Sequence, residues 1–524
     1  MRSEKYAKYL TLMGAHFVNA PLGFGWIFGN LSAYMESYFM CYCYPGCVDG
    51  DSQWILTLFL ASGSPGLFFA TPLIKRVGIK WAGIFAMIVC AVGLLTSSWT
   101  VGVSVIATAV FMGLINGMGA GVAVCAGFTF VKAYAGKHTG VFLATTISAP
   151  TILAIAQNQI ITAYVNPKNL KADKRIGPKA YFSESEMLDR VPEVIFIIGA
   201  MTLGLQAFGY LLVSSPPPPA IPVKTQLDSQ GGKVQDTEHQ DHSQAHCDGN
   251  TSHSANGNGL NPKSTLITSS TESLTYKSNV CCQDDFAKTL SEQSHEMHSN
   301  SSAVRPSIDA SMEHSADINS SNCSCLSPFK PLETLRTRPF QVSWLYSLAM
   351  AYSFVLKNTY YKQFGLLYIN NDRYLTLIGS LIPVVASSAR VIFGGLMDKG
   401  IISLQDSMCI SLSVNAVLFT FWYFVPQVSA IGYMFLVLGL AGIHSLVYTI
   451  LAAGTLHICG EEHFTSNFNM LYSSETVGAI LSALIVSKLL DTVGWFWLFA
   501  SCSIVSLCVL SLTVLTDFSK TKKV

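Results

Sequence analysis

Charge is what this chain has least of. Only 12% of its 524 residues are Asp, Glu, Lys or Arg, half are apolar, and mean hydropathy is +0.40. An ordinary soluble domain carries about 25% charge, so a surface this poor in it must largely face lipid. The charge present is uneven: 23 of the 63 charged residues fall between Pro216 and Arg338, leaving 40 for the other 401 residues. Net charge is +1 with no basic stripe, which argues against a nucleic-acid partner. The chain also lacks a phosphate-cradling P-loop, a nucleophile elbow, a metal-binding helix motif and a soluble domain large enough to hold a site. It is therefore read as neither an enzyme nor an ATP-driven pump, with no cofactor and no metal. The fourteen cysteines show no repeating spacing; only Cys41, Cys43 and Cys47 cluster closely enough to suggest a disulfide, on a face that meets an oxidising compartment.

What is present is apolar length. A bilayer core needs about 20 predominantly apolar residues per helix, and twelve such stretches are found, roughly at 8 to 34, 54 to 74, 80 to 98, 102 to 127, 139 to 164, 193 to 214, 341 to 368, 374 to 397, 403 to 424, 428 to 452, 466 to 488 and 493 to 516. The first is too long and too rich in Asn, His and Tyr for a signal peptide, and no small-residue cleavage site follows it. Arg2, Lys5 and Lys8, the turn Lys75, Arg76 and Lys80, Lys132 and Lys137, and Lys520, Lys522 and Lys523 all fall on one side, which the positive-inside rule makes cytoplasmic. The basic loop from Asn166 to Pro192 must lie outside, with Asp173, Glu184, Glu186 and Asp189 offsetting its charge.

Residues 1 to 214 thus form a six-helix half and 339 to 524 a second one with a short cytoplasmic tail, making an all-α membrane protein. Residues 215 to 338 begin with the run Pro216 to Pro219 and continue rich in Ser, Asn, His, Gln and Asp, a composition that cannot bury enough apolar surface to offset chain entropy. They are expected to be a disordered cytoplasmic loop. Seven histidines (His239, His242, His246, His253, His295, His298, His314) and five cysteines there match no tight metal spacing. Its sequons at Asn250, Asn300, Asn319 and Asn322 should stay unmodified if the loop is cytoplasmic.

Six spans, a long loop and six more, with both termini inside, resemble the major facilitator superfamily, whose halves are repeats with a site between them. After span 8, Gly394-Gly395-Leu396-Met397-Asp398-Lys399 is similar to that superfamily's G-x-L-x-D-R gating signature. The matching turn after span 2, Thr71 to Gly78, departs from it. Thr71 replaces the first glycine and Lys75 the aspartate, while Arg76 and Gly78 remain as candidate gating residues.

Ionisable groups inside a membrane are expensive and mark pathways, partners or proton relays. Arg390 lies within span 8 among Val384, Val385, Ile392 and Phe393, and its planar fork suits bidentate pairing with a carboxylate. It is the leading candidate substrate anchor, with a structural ion pair as the alternative. Glu475, in span 11 after Leu471-Tyr472-Ser473-Ser474, is the candidate proton-coupling group; the alternative places it near water, close to Glu461 and Glu462. An Arg390 to Glu475 contact is geometrically open. Lys357 and Lys362 are five apart on span 7, about 140° around a helix, so one is expected to line the pathway and the other to snorkel outward. Lys362 is taken as a supporting substrate residue, with Asn30 and Tyr472. His16, Asn19, Asn116, Gln157, Asn158 and His444 are further polar groups, for any one of which an interhelical hydrogen bond is the simpler role.

These residues resemble the oxalate:formate antiporter and monocarboxylate (lactate) transporter branch. The resemblance rests on Pro21 to Tyr34 of span 1, Gly140, Asn166-Pro167, Asn358 to Gly365, Leu375 to Ser380, and Arg390 where the branch carries its substrate-binding arginine. Two departures matter. Glu475 stands where the oxalate:formate exchangers place a lysine after N-x-x-x-L-Y, which argues against oxalate. Ala386 stands where related carriers often place Asn or Asp. The resemblance implies a plasma-membrane secondary transporter of small monocarboxylates by proton symport or anion exchange, working with protons and, as for some relatives, with an accessory membrane protein. The alternatives are an amino-acid or other organic-ion carrier of the same fold, and a non-transporting receptor or scaffold.

Overall fold

The computed structural model describes residues 2–42, 52–135, 139–214, 334–459 and 464–518. The central segment from 215 to 333, with the histidines, cysteines and sequons singled out above, lies outside the described residues, as do Cys43, Cys47, Glu461 and Glu462. The expected disulfide therefore falls on undescribed positions; Cys41 Sγ lies 3.9 Å from the Phe182 carbonyl.

The described residues form twelve helical spans. Span 1, expected as one helix, is two: Arg2–Val18 and Phe24–Tyr42, joined by a 3₁₀ turn Ala20–Gly23. Pro21 supplies the break, because it has no N–H to give the helical ladder. Span 2 is Gln53–Val77, span 3 Ile79–Thr100, span 4 Val105–Tyr134 with a π-helical stretch Ala109–Ile115, span 5 Thr139–Val165 and span 6 Val191–Leu212. The second half holds span 7 Arg338–Gly365, span 8 Asp372–Asp398, span 9 Leu404–Trp422 and span 10 Ala430–Cys459. Spans 11 and 12 share Phe464–Val514, broken at Gly494 (φ 73°), a left-handed conformation that glycine reaches without a Cβ clash.

Eight stretches of the described residues are long and apolar enough to cross a membrane, one of them holding both spans 11 and 12. The two helices of span 1, span 5 and span 7 are not among them. The loop expected between spans 5 and 6 holds the main departure from an all-helical reading, two short antiparallel strands, Lys174–Ile176 and Lys179–Tyr181, with Arg175 opposite Ala180.

Lipid tails are as apolar as leucine, so spans associate through close packing and hydrogen bonds more than through burial. The contact between spans 1 and 7 shows this. A Cβ at Gly29 would lie 1.9 Å from the Asn358 carbonyl oxygen, so only glycine allows the approach. Around it Asn358 Nδ2 donates to Gly25 O at 3.1 Å and Ser32 Oγ to Thr359 O at 2.9 Å. The largest apolar cluster spans the same seam, joining Phe28 and Phe59 of the first half to Phe364, Trp422 and Phe499 of the second.

Candidate functional site

Two charged centres lie between the halves. The first is built where span 7 ends and span 8 begins. Lys362 occupies the last turn of span 7 and Asp372 the first turn of span 8, each at the helix end whose dipole favours its sign. Asn371 caps span 8 by accepting from Tyr374 N at 3.1 Å. The two charges meet at 2.6 Å with no solvent exposure. Lys362 Nζ also donates to Asn30 Oδ1 (2.6 Å) and the Tyr34 hydroxyl (3.0 Å), both on span 1 of the other half, and to Thr376 Oγ1 (3.3 Å). Asp372 Oδ2 accepts from Tyr34 (2.5 Å) and from Asn166 Nδ2 (2.8 Å) at the end of span 5. Thr162 of span 5 meets Thr376 of span 8 at 2.6 Å.

This centre belongs to a continuous seal. Gln53 Nε2 donates to Ser482 Oγ at 3.0 Å, Tyr360 to Gln53 at 3.0 Å, and Gln159 Nε2 to Ser380 Oγ at 2.8 Å. The loop between spans 5 and 6 covers it: Trp495 Nε1 donates to Pro178 O (2.6 Å), Arg373 to Pro167 O (2.6 Å), and Arg175 to Leu367 O. Beneath that loop Lys179 pairs with Glu36 at 3.0 Å, both buried. Among the described residues, the last side-chain hydrogen bond between the halves toward the opposite end is Thr151 to Ser387, 3.2 Å. The molecule is thus closed on the face that carries this loop.

The second centre lies about 27 Å further along span 8, the rise of eighteen residues. Arg390 is partly exposed, and its guanidinium sits 5.5 Å from the ring centre of Tyr448 on span 10 and 5.8 Å from that of Trp26 on span 1. Its Nε donates to Ser445 O at 3.2 Å. The Tyr448 hydroxyl donates to Glu475 Oε1 at 2.7 Å, and Glu475 is 6% exposed, so it lies inside the bundle and not in bulk water. Arg390 and Glu475 are not an ion pair; Tyr448 stands between them. The ion pairs among the described residues are Lys168–Glu186, Lys179–Glu36, Arg190–Glu186 and Lys362–Asp372. The Tyr472 ring packs against that of Tyr448 at 6.1 Å and against Phe468 at 6.2 Å.

Neither span 7 lysine snorkels outward; both are fully buried. Lys362 turns to Asp372. Lys357 Nζ lies 5.3 Å from the Phe354 ring centre and 6.0 Å from that of Trp26, with no hydrogen-bond acceptor. His444 packs edge-on against Phe354 and meets Asn415 Oδ1 at 3.1 Å.

The other polar residues divide: Asn19 and Asn116, expected to bond between helices, are buried with no side-chain hydrogen-bond partner among the described residues. His16 contacts Thr145 (2.9 Å), Gln157 contacts Thr202 (3.3 Å), and Asn158 donates to Gly379 O (3.2 Å), each an interhelical hydrogen bond. Arg76 and Gly78 (φ 84°) form the turn between spans 2 and 3, and Gly394, Asp398 and Lys399 end span 8, all at the end opposite the seal, with Arg76 and Lys399 exposed.

Asp372, Tyr34, Trp26, Tyr448 and the Lys179–Glu36 pair carry much of this geometry and were not singled out from the sequence. Glu36, an acid in an apolar run, offered a signal. Asp372 sits in Asn370-Asn371-Asp372-Arg373, which reads as an ordinary helix start.

No protein-family model matches the chain, and no curated protein matches it in sequence. Solved structures do match along nearly all of it. The D-xylose-proton symporter matches at TM-score 0.57 with 11% identity, over 98% of this chain and 99% of that one. A partially occluded inward open conformation of the xylose transporter XylE from E. coli gives 0.58 and 10%, over 97% and 98%. A variant of the nucleoside transporter NupG gives 0.57 and 10%, over 97% and 99%. At such identities the likeness is one of fold: this is the major facilitator fold, twelve transmembrane helices in two six-helix halves.

Proposed function

We propose that the chain is a secondary transporter that moves small monocarboxylates of the lactate and pyruvate kind across the plasma membrane, with both termini and the central loop in the cytoplasm. The observation that carries this reading is Arg390. It is a permanently charged group deep in span 8, partly exposed, without a carboxylate partner among the described residues, and set against Trp26 of the opposite half. A planar guanidinium so placed suits bidentate capture of a carboxylate.

Glu475 supplies the coupling. While ionised it places a negative charge one tyrosine away from Arg390 and competes electrostatically with an incoming anion. Once protonated it leaves Arg390's charge to the substrate, so proton and anion favour each other's binding. In the orientation that the positive-inside rule gives, the sealed face is the external one. Rocking of the halves must break the Lys362–Asp372 cross-links to Asn30, Tyr34 and Asn166 and close the end bearing Arg76 and Lys399. In this reading Lys362 and Asn30 serve the external gate, while Arg390, Glu475, Tyr448 and Tyr472 form the transport site.

The test is uptake of radiolabelled lactate, pyruvate, formate, oxalate and a neutral amino acid into proteoliposomes at two external pH values, wild type against Arg390→Ala. Acid-stimulated monocarboxylate uptake lost in the variant supports the assignment; uptake retained in the variant removes Arg390 as anchor. A second reading is favoured by Tyr448 contacting both a cation, at its ring, and an acid, at its hydroxyl, an arrangement that also suits a zwitterionic amino acid. Competition between lactate and amino acids separates the two.

A further inference from the structure

While Glu475 is ionised, Arg390 and Glu475 together carry no net charge, so before the proton arrives the pair gives no reason for an anion to be preferred over a zwitterion. The missing charge lies beside Trp26, the indole that Arg390 also faces. Lys357 is fully buried in the last third of span 7, and its ammonium has three donors and no acceptor. Burying such a group without a partner is costly. Two ring faces offset only part of that cost, Phe354 at 5.3 Å and Trp26 at 6.0 Å, and Trp26 is the same indole that faces Arg390 at 5.8 Å. Two cations on one ring are no more than about 12 Å apart. Trp26, itself half-buried, is thus an aromatic neighbour shared by the buried Lys357 and the partly exposed Arg390. The nearby His444 carries no acid with it; its Nε2 faces Asn415.

We propose that Lys357 is the charge-selecting residue of the transport site: its ammonium, sharing Trp26 with Arg390, gives Arg390 and ionised Glu475 a surplus of one positive charge and makes the site select organic monoanions over zwitterions. The inference rests on the transporter reading above. It deepens that reading by assigning substrate class to a residue that need not touch the substrate. The carboxylate that enters is the counter-charge that Lys357 lacks when the site is empty. A unit charge about 10 Å away at an effective dielectric near 20 changes binding roughly ten-fold.

The experiment compares KM and kcat for lactate and for alanine in proteoliposomes holding wild type, Lys357→Met, Lys357→Gln or Lys357→Arg, with melting temperature and monodispersity measured on the same preparations. The expected result is a rise of about ten-fold in lactate KM in Lys357→Met, with kcat changed little. Alanine handling should stay unchanged, and Lys357→Arg should restore lactate KM to within a few-fold of wild type. Lys357→Gln repeats the test should Lys357→Met not fold. A wild-type lactate KM in the neutral variants, or no recovery in Lys357→Arg, overturns the inference and leaves the transporter reading standing. Wild-type protein that moves no carboxylate overturns the transporter reading, and the inference with it.

Discussion

Two lysines five residues apart on span 7 have opposite surroundings. Lys362 meets an aspartate, an asparagine, a tyrosine and a threonine, drawn from both halves of the molecule. Lys357 meets two ring faces and no acceptor. Span 8 repeats the contrast: Asp372 is saturated with donors, whereas Arg390, five turns on, has one backbone carbonyl and two aromatic faces. Saturated buried charge fixes one arrangement of the chain, because parting it leaves each ion uncompensated. Unsaturated charge leaves room for a counter-ion from outside. The seal and the proposed transport site are thus distinguished less by residue type than by whether the partners are supplied from within.

This contrast can be broken from either side. Arg390→Ala should cut monocarboxylate kcat/KM by roughly 100-fold or more while hardly changing the melting temperature, since the arginine holds no internal ion. A large loss of stability would place it with the saturated group. Asp372→Ala should do the reverse, costing about 3–5 kcal/mol by stranding Lys362, with most of it recovered when Lys362→Met is added. Thermal melts of the singles and the double check this; a double no more stable than Asp372→Ala contradicts it. Glu475→Gln should remove the rise of uptake at low external pH while leaving carboxylate exchange measurable, seen by comparing net uptake with counterflow.

Smaller effects sharpen the picture of the seal. Gly29→Ala sets a methyl against the Asn358 carbonyl, so spans 1 and 7 must part. A cysteine introduced at Thr57, behind the seal, should then react several-fold faster with an impermeant thiol reagent. Unchanged labelling would mean the approach at Gly29 does not hold the face shut. The smallest effect is expected in the covering loop. Burial works to raise the Asp173 carboxyl, but hydrogen bonds from the Ser183 hydroxyl and N–H outweigh it and hold the group below the usual carboxylate range. A lowered folded-state value contributes stability present above the unfolded value, about 4, and lost as pH falls through the folded one. Protease clipping of the loop should therefore rise on acidification below about pH 4 and be less pH-dependent in Asp173→Asn.

Much of the fold was legible because a bilayer imposes a length on every apolar stretch, and twelve such stretches in two groups leave few architectures. The break in span 1 was not seen, although Pro21 was in view, because the apolar run continues through it. Arg390 and Glu475 stood out as charges in apolar surroundings. Their relation did not, because Tyr448 between them looks like any other aromatic in an apolar helix. The fates of Lys357 and Lys362 were beyond local pattern: helical spacing separates their faces, but the partner of one lies ten residues on past a turn, and the cross-links to Asn30 and Tyr34 close over more than three hundred residues. Contacts of that separation are written in the packing of two halves and not in any one stretch of chain.

The most direct measurement is initial-rate uptake of labelled lactate into proteoliposomes holding wild type or Arg390→Ala, at two external pH values about two units apart. Wild-type uptake that rises on acidification, and an Arg390→Ala protein that stays folded but inactive at both values, is the predicted result. Equal lactate uptake by the two proteins, or none by a well-folded wild type, would contradict the account.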